Sequence, residues 1–453
     1  MSPQPIYLDE KSDEPITHIT HACGGPAEDV AEPTPLVPDR RKCRRKKLRF
    51  LAAIFLVWLG FKLWSYLRFE FYNRYGYHTV AGVENTAVFE DPPVPDGVEL
   101  VECPGWQGTD VLMGRHFAPH DRFTSYASFN LPVDSDKLFV LARGSAAGAL
   151  KVRQGSGSED VKVEVEARYR FEEAIDSVKV CTVKRGEGEN GLGIFGPEWS
   201  RRNFVRFEIT FYLPEGEKGS VLDVKSFETD APLFAHDIGD LERSVHFDDI
   251  NLKSANTPIF VKSLRADNAA FETRNSPISG EFNVSSSLTL ITANARIDAK
   301  VNLFNEDDGD STNLVIKTSN ARVKGALKLE SANKSGGQYQ VSASTSNAAL
   351  DLKISEAPVR HALSLDADTS LGPVLVQVHP TYEGTFDVAT SLLRPEIVWK
   401  GVEDPEGKGR RRKVEVHTDG SRASGRIRWS DEDPESPGKI NVKTSLAPLR
   451  LEL

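Results

Sequence analysis

One four-residue pattern returns in phase through the second half of this chain, and few folds can accommodate it. Ile250, Leu252, Ser254 and Asn256 alternate along one strand face; the series recurs as Leu288, Leu290, Thr292, Asn294, as Leu314, Ile316, Thr318, Asn320, and as Val341, Ala343, Thr345, Asn347. A period of two sends the apolar pair to one side, so each copy predicts a half-buried strand ending in a small polar residue and an asparagine. An aliphatic group follows each asparagine at a fixed distance (Ile259, Ile297, Val323, Leu350), where the next strand begins. Asparagine tolerates the left-handed backbone and bonds its own turn, which makes Asn256, Asn294, Asn320 and Asn347 the expected repeat corners. Shorter copies stand at Asn268 with Phe271 and at Asn275 with Ile278.

In the C-terminal copies leucine takes the corner, as Leu371, Leu392 and Leu446, behind Leu365/Ala367/Thr369, Phe386/Val388/Thr390 and Ile440/Val442/Thr444. Steps of 26, 27, 24 and 21 residues along Asn294, Asn320, Asn347, Leu371 and Leu392 are those of stacked repeats. Residues 245–453 are therefore expected to form a β-solenoid-like domain. Residues 400–438, with Arg410-Arg411-Arg412-Lys413, read as an exposed hairpin or loop inserted into it.

Upstream, Val161, Val163, Val165, Ala167 and Tyr169 alternate with charged residues, and Val205, Phe207, Ile209, Phe211 and Leu213 repeat the alternation. Residues 124–235 predict an antiparallel, sandwich-like β domain. Residues 68–123, with Asp91-Pro-Pro-Val-Pro95, read as a stalk or connector. The expected fold class is thus an all-β ectodomain, a sandwich-like domain followed by β-solenoid-like repeats, plus one N-terminal transmembrane helix.

That helix is placed at residues 48–67. Phe50, Leu56, Trp58, Phe61 and Trp64 belong to an apolar run long enough to cross a bilayer, with Arg49 and Lys62 able to snorkel. Residues 40–49 before it carry Arg40, Arg41, Lys42, Arg44, Arg45, Lys46 and Lys47, a basic flank suited to anionic cytoplasmic lipid. The expected topology is a single-pass type II protein with a retained signal anchor. Its N-terminus would be cytoplasmic and its C-terminal part extracellular or lumenal. The proline-rich residues 1–39 have the composition of a disordered tail. Cys23 and Cys43 fall on the reducing side, whereas Cys103 and Cys181 fall on the oxidising side and are a candidate disulfide. Asn283 and Asn333 open candidate glycosylation sequons, Asn283-Val-Ser285 and Asn333-Lys-Ser335.

Charge narrows the partners. Residues 1–47 balance eight acids against eight bases and the span adds Arg49 and Lys62, so of the formal charge of -10, residues 68–453 carry -12. An acidic outer part argues against nucleic acid, which needs a basic face. Chemistry-bearing motifs are weak. Gly186, Gly188 and Gly191 have dinucleotide-loop spacing but no following helix, and no Gly-x-Ser-x-Gly elbow occurs. The acids of 305–310 lack the spacing of a helical calcium loop, and His236, His246, Asp248 and Asp249 lack the spacing of a metal site. No cofactor, metal or catalytic residue is predicted. A secretory-pathway type II enzyme such as a glycosyltransferase is an alternative; it would use an Asp-x-Asp such as Asp134/Asp136, Asp308/Asp310, Asp366/Asp368 or Asp431/Asp433, but needs the alternating strands and helices that are missing here. A further alternative is a scaffold acting through the basic, proline-rich tail.

At Thr318-Ser-Asn-Ala321 and Thr345-Ser-Asn-Ala348 the chain resembles the adhesin-like repeat proteins of unknown function. Its anchor with an acidic β ectodomain is similar to uncharacterised single-pass membrane proteins of filamentous fungi. The repeat resemblance covers about residues 245–450 and implies stacked strands, no catalytic residues, and contact with glycan or cell-surface protein. Leu371, Leu392 and Leu446 depart from its asparagine corner.

Overall fold

The computed structural model describes residues 94–111, 121–157, 159–197, 204–216, 219–306, 309–429 and 437–453. The tail, the basic flank Arg40–Lys47 and the predicted span with Phe50, Leu56, Trp58, Phe61 and Trp64 lie outside them. Among the described residues no helix is long and apolar enough to cross a membrane.

Alternation dominates this part of the chain, and almost all of it is strand. In order come β1 (Glu99–Glu102), β2 (Gln107–Val111), β3 (Phe123–Leu131), β4 (Lys137–Arg143), β5 (Ala147–Gln154), β6 (Val161–Tyr169), a one-turn helix α1 (Glu173–Asp176), β7 (Lys179–Gly186), β8 (Glu189–Phe195), β9 (Val205–Leu213), β10 (Leu222–Asp230) and β11 (Phe234–Asp240). The repeats supply β12 (Val245–Lys253), β13 (Ile259–Glu272), β14 (Ile278–Ile291), β15 (Ile297–Asn305), β16 (Thr312–Lys317), β17 (Val323–Ser331), β18 (Gln338–Ser344), β19 (Leu350–Glu356), β20 (Ala362–Asp368), β21 (Val374–Gln377), β22 (Gly384–Ala389) and β23 (Glu396–Val398). A hairpin of β24 (Lys413–Asp419) and β25 (Arg422–Arg428) precedes β26 (Gly438–Lys443) and β27 (Leu449–Glu452).

The repeats build a solenoid with two parallel rows. Row I runs β10, β12, the second half of β13, the second half of β14, β16, β18 and β20. Row II runs β11, the first half of β13, the first half of β14, β15, β17, β19 and β21. Each rung is one strand of row I, a corner, and one strand of row II. Inward side chains of the two rows meet: Phe271 of row I lies 5.3 Å from Phe282 of row II between ring centroids, and Phe211 lies 5.6 Å from Phe227 edge-on. One continuous hydrophobic core extends from Ala127 to Leu453.

The corners hold a second ladder inside the first. Thr292, Thr318, Thr345, Thr369 and Thr444 are all buried. Their hydroxyls donate to backbone carbonyls of the preceding corner, as from Thr318 to Ala295 at 3.1 Å, Thr345 to Ala321 at 3.1 Å and Thr444 to Gly372 at 3.1 Å. A buried corner carbonyl is costly when unpaired. This is why the small residue of the repeat is threonine wherever the turn is fully enclosed.

Three expectations are corrected. Residues 124–235 are not an antiparallel sandwich: β4 pairs in parallel with β8 and β10, β5 with β9 and β11, and both rows continue straight into the repeats. Antiparallel pairing in this half is confined to its N-terminal edge, where β7 joins β8, β1 joins β7, β6 joins β9, β3 joins β6 and β2 joins β3. Within the expected stalk, β1 covers the outer side of β4 and β7, where Phe139, Leu141, Cys181, Val183 and Phe195 form a second small core beneath Val94, Val98 and Leu100. Finally, the copies ending in Leu371 and Leu392 are not adjacent, because β26 lies between β20 and β22 and β27 between β21 and β23. The predicted insertion appears as the β24–β25 hairpin, added antiparallel to β22.

The outer faces as candidate functional site

The predicted corner asparagines form a ladder of side-chain amides. Asn275 Nδ2 donates to Asn256 Oδ1 at 2.7 Å, Asn294 to Asn275 at 2.7 Å, Asn320 to Asn294 at 2.6 Å and Asn347 to Asn320 at 2.6 Å. Asn275, a shorter copy by its sequence, is a full member. Asn268 is not; it sits on β13 and accepts from Ser287 Oγ at 2.8 Å. Past Asn347 the ladder stops, because Leu371, Leu446 and Leu392 present exposed side chains of 51%, 53% and 71% that cannot bond.

The outer faces of the two rows differ in chemistry. On row II the outward side chains pair as ions: Lys262 with Asp240 at 3.2 Å, Lys300 with Glu281 at 2.6 Å, Lys328 with Glu356 at 3.0 Å. On row I three register lines run along the stack. The first is Asn268, Ser287, Asn313, Gln340, Ser364, and the second is Ala270, Thr289, Val315, Ser342, Asp366. The first line is hydroxyls and amides throughout, about 4.8 Å apart per rung, and forms a comb along the middle of row I; the second mixes Thr289 and Ser342 with Ala270, Val315 and Asp366, and a third, Glu272, Ile291, Lys317, Ser344, Asp368, carries charges.

Two open grooves of about 570 Å³ each lie at the ends of this comb. The upstream groove is lined by Asp136, Lys225, Asp249, Asn268, Ser287 and Thr289. The downstream groove lies against the inserted hairpin and is lined by Asp387, Glu415, His417, Ser424, Lys439 and Asn441.

Beside the upstream groove, His246, Asp248 and Asp267 bring potential metal-ligand atoms within 4.8 Å of one another. Their present geometry satisfies itself. His246 Nδ1 faces Asp223 Oδ1 at 3.3 Å and Nε2 faces Asp267 Oδ1 at 3.1 Å, so each ring nitrogen already has a carboxylate partner. The sequence offered one signal for the Asp248–Asp267 approach: they are separated by the same step that joins Asn256 to Asn275, 19 residues, which is one rung. His236 and Asp249, grouped with them by sequence, do not join the cluster. His236 is buried, with Nε2 2.7 Å from Thr229 Oγ1.

His361 is buried as well, between the rings of Tyr339 and Tyr382, each 6.3 Å away by centroid. Burial pushes both His236 and His361 down to about 4. The loop after β23 is tied by Asp404, whose carboxylate accepts from Arg410 Nη2 at 2.7 Å and is held well below the usual carboxylate range by that guanidinium. Neighbouring Arg412 lies 6.0 Å from the Trp429 ring, and burial lowers its basicity.

Cys103 and Cys181 are joined by a disulfide across 78 residues, tying the end of β1 to β7. The two sequons differ in setting. Asn333 is exposed in the turn after β17, next to Lys334 at φ 58°. Asn283 stands mid-strand on β14, donating to Glu242 Oε1 at 3.3 Å and accepting from Asn302 Nδ2 at 3.4 Å.

No protein-family model matches the chain, and no curated protein matches it. Among solved structures, a chain described as a "putative cell adhesion protein" from Clostridium sporogenes ATCC 15579 aligns with 73% of this chain and 99% of its own length, at 7% identity and a TM-score of 0.15. At that score the likeness carries no argument about fold or function.

Proposed function

We propose that this chain is a non-catalytic, single-pass type II membrane protein that displays its solenoid as an adhesin-like contact surface for glycan or surface protein. Its basic flank would lie on anionic cytoplasmic lipid. The observation that supports this reading most is the contrast between the two outer faces. Row II ties many of its outward charges into ion pairs along the stack, whereas row I carries a line of uncharged donors and acceptors, Asn268 to Ser364, at rung spacing over a rigid support. Such a surface suits many weak, geometrically repeated hydrogen bonds to a polymeric partner.

Purified residues 94–453 are expected to bind cell-wall polysaccharides on an array or to crosslink to a surface protein. Gln340→Arg with Ser342→Arg, both exposed on row I, should abolish the contact, and Lys300→Glu on row II should not. Binding that ignores the row I changes, or no binding in either assay, would sink the proposal.

A further inference from the structure

The rung that comes latest in sequence sits inside the stack rather than at its end. β26 pairs in parallel with β20 through Leu365↔Ile440 and Ala367↔Val442, and with β22 through Phe386↔Ile440 and Val388↔Val442. β27 is held in the same way between β21 and β23. Ile440, Val442, Leu449 and Leu451 are fully enclosed. Both walls of this slot, residues 362–377 and 384–398, precede the segment that fills it. The filler is therefore bound as an added β-strand peptide is bound, by backbone pairing on two edges and inward side chains between them.

The two walls also match each other. Across the three rungs the register positions read Leu365, Ile440, Phe386, then Ala367, Val442, Val388, then Thr369, Thr444, Thr390, then Leu371, Leu446, Leu392. β22 and β23 offer to β20 and β21 the same alternation as the rung that separates them, so an emptied slot can close by one rung instead of leaving bare strand edges. Withdrawal of the filler is thereby made cheaper. The asparagine-cornered rungs show no such freedom; they stack in chain order, each amide bonded to the one before it.

We propose that residues 437–453 are an exchangeable rung, and that the slot between β20–β21 and β22–β23 is a binding site that a second copy of this chain fills in trans, joining two solenoids. The interaction is separate from the row I contact face, since it uses backbone edges and inward side chains.

The test uses the full chain with Cys23 and Cys43 changed to serine, so that only the introduced pair reports. Asp366→Cys and Asn441→Cys replace direct register partners whose side chains meet at 2.8 Å, within disulfide reach once both are cysteine. Oxidation of dilute protein should give a bridge within one chain. Incubation at rising concentration before oxidation should give a growing fraction of disulfide-linked dimer, and oxidation first should prevent it. As a second readout independent of these substitutions, a protease site placed in residues 430–436 allows the folded chain to be nicked. A fluorescent peptide of residues 437–453 should then enter, and the same peptide carrying Val442→Asp and Leu451→Asp should not. Only intramolecular bridges at every concentration, or a nicked chain that takes up neither peptide or both alike, would overturn the proposal.

Discussion

Lowering the pH from 7 to 5 is expected to loosen the solenoid at two separate places, around His236 and around His361. The rings are 1% and 2% exposed. Burial depresses both to about 4, aided at His361 by nearby His379 and opposed at each by one backbone carbonyl, of Phe234 and of Pro358. In the unfolded chain both imidazoles titrate near the ordinary histidine value of 6.5. Above about 6.5 neither state carries the proton and below about 4 both do; between these limits only the unfolded state binds it. Stability is therefore complete at pH 7, falls as pH falls through the window, and levels off below it. A gap of about 2.5 units corresponds to about 3 kcal/mol for each histidine over the whole window, and to ~2 kcal/mol by pH 5.

A stack of rungs opens locally rather than as one two-state unit, so a global midpoint would blur the effect. Hydrogen exchange resolves it. After correction for intrinsic rates, amides of β10–β13 and of β18, β20 and β22 should lose protection by about thirtyfold between pH 7 and 5, the equivalent of ~2 kcal/mol. His236→Leu should remove the effect only in the first group, and His361→Phe should reduce it only in the second, where half-buried His379, also lowered by burial, supplies what remains. Carboxylates do not confuse the window. Glu406, held down to about 2 by Lys408 and Arg360, loses its contribution only as pH falls below the ordinary carboxylate range. Unchanged protection at pH 5, or a loss undiminished in both variants, would refute the reasoning.

Thr318→Val keeps the shape of a buried corner and removes the bonds to Ala293 and Ala295, which should cost about 1–2 kcal/mol in urea titration of that region. Asn294→Ala breaks the amide ladder on both sides at an exposed site and should cost roughly 1 kcal/mol or less, with Asn294→Leu no worse because leucine is tolerated at corners 371, 392 and 446. Cys103→Ser with Cys181→Ser should lower stability by about 2–4 kcal/mol, with the loss of exchange protection centred on β1 and β7; an unchanged pattern would mean the small outer core holds β1 without the bridge.

Alternation along a strand reports which side faces inward, and it did so here: Ile297, Ala299, Val301 and Leu303 of β15 are buried as the pattern requires. It carries no information on whether the neighbour runs parallel or antiparallel, because the same side chains face inward in either case. That is why residues 124–235 suggested an antiparallel sandwich although β4, β5, β8 and β9 already belong to the parallel rows. Asn275 was legible only as a minor copy because β13 and β14 pass from row II to row I without a loop, which shortens the steps on both sides of it to 19 residues, against 26 and 27 for the two after Asn294. The Asp248–Asp267 approach needed that same rung length before the two residues could be placed side by side. The order of the last rungs was not legible, since the copies ending at Leu392 and Leu446 are interchangeable in pattern.

That interchangeability connects corner chemistry to order. An amide that bonds the amide before it favours one register for its rung; an exposed leucine adds nothing, so the rungs at Leu371, Leu446 and Leu392 are ordered without a corner bond, by backbone pairing, by the Thr444 bond and by strand-borne contacts such as Asn441 to Asp366 and Gln377 to Glu452. Replacing all three leucines with asparagine should continue the ladder from Asn347 in spatial order 347, 371, 446, 392, adding neutral hydrogen bonds worth roughly 0.5–1.5 kcal/mol each. No core packing is lost, because each leucine is already more than half exposed. If corners govern rung order, the triple variant should form the linked dimer of the Asp366→Cys, Asn441→Cys chain several-fold more slowly at equal concentration. An unchanged rate would place control of rung order in the strands themselves, and the leucines would then be a surface feature unrelated to exchange.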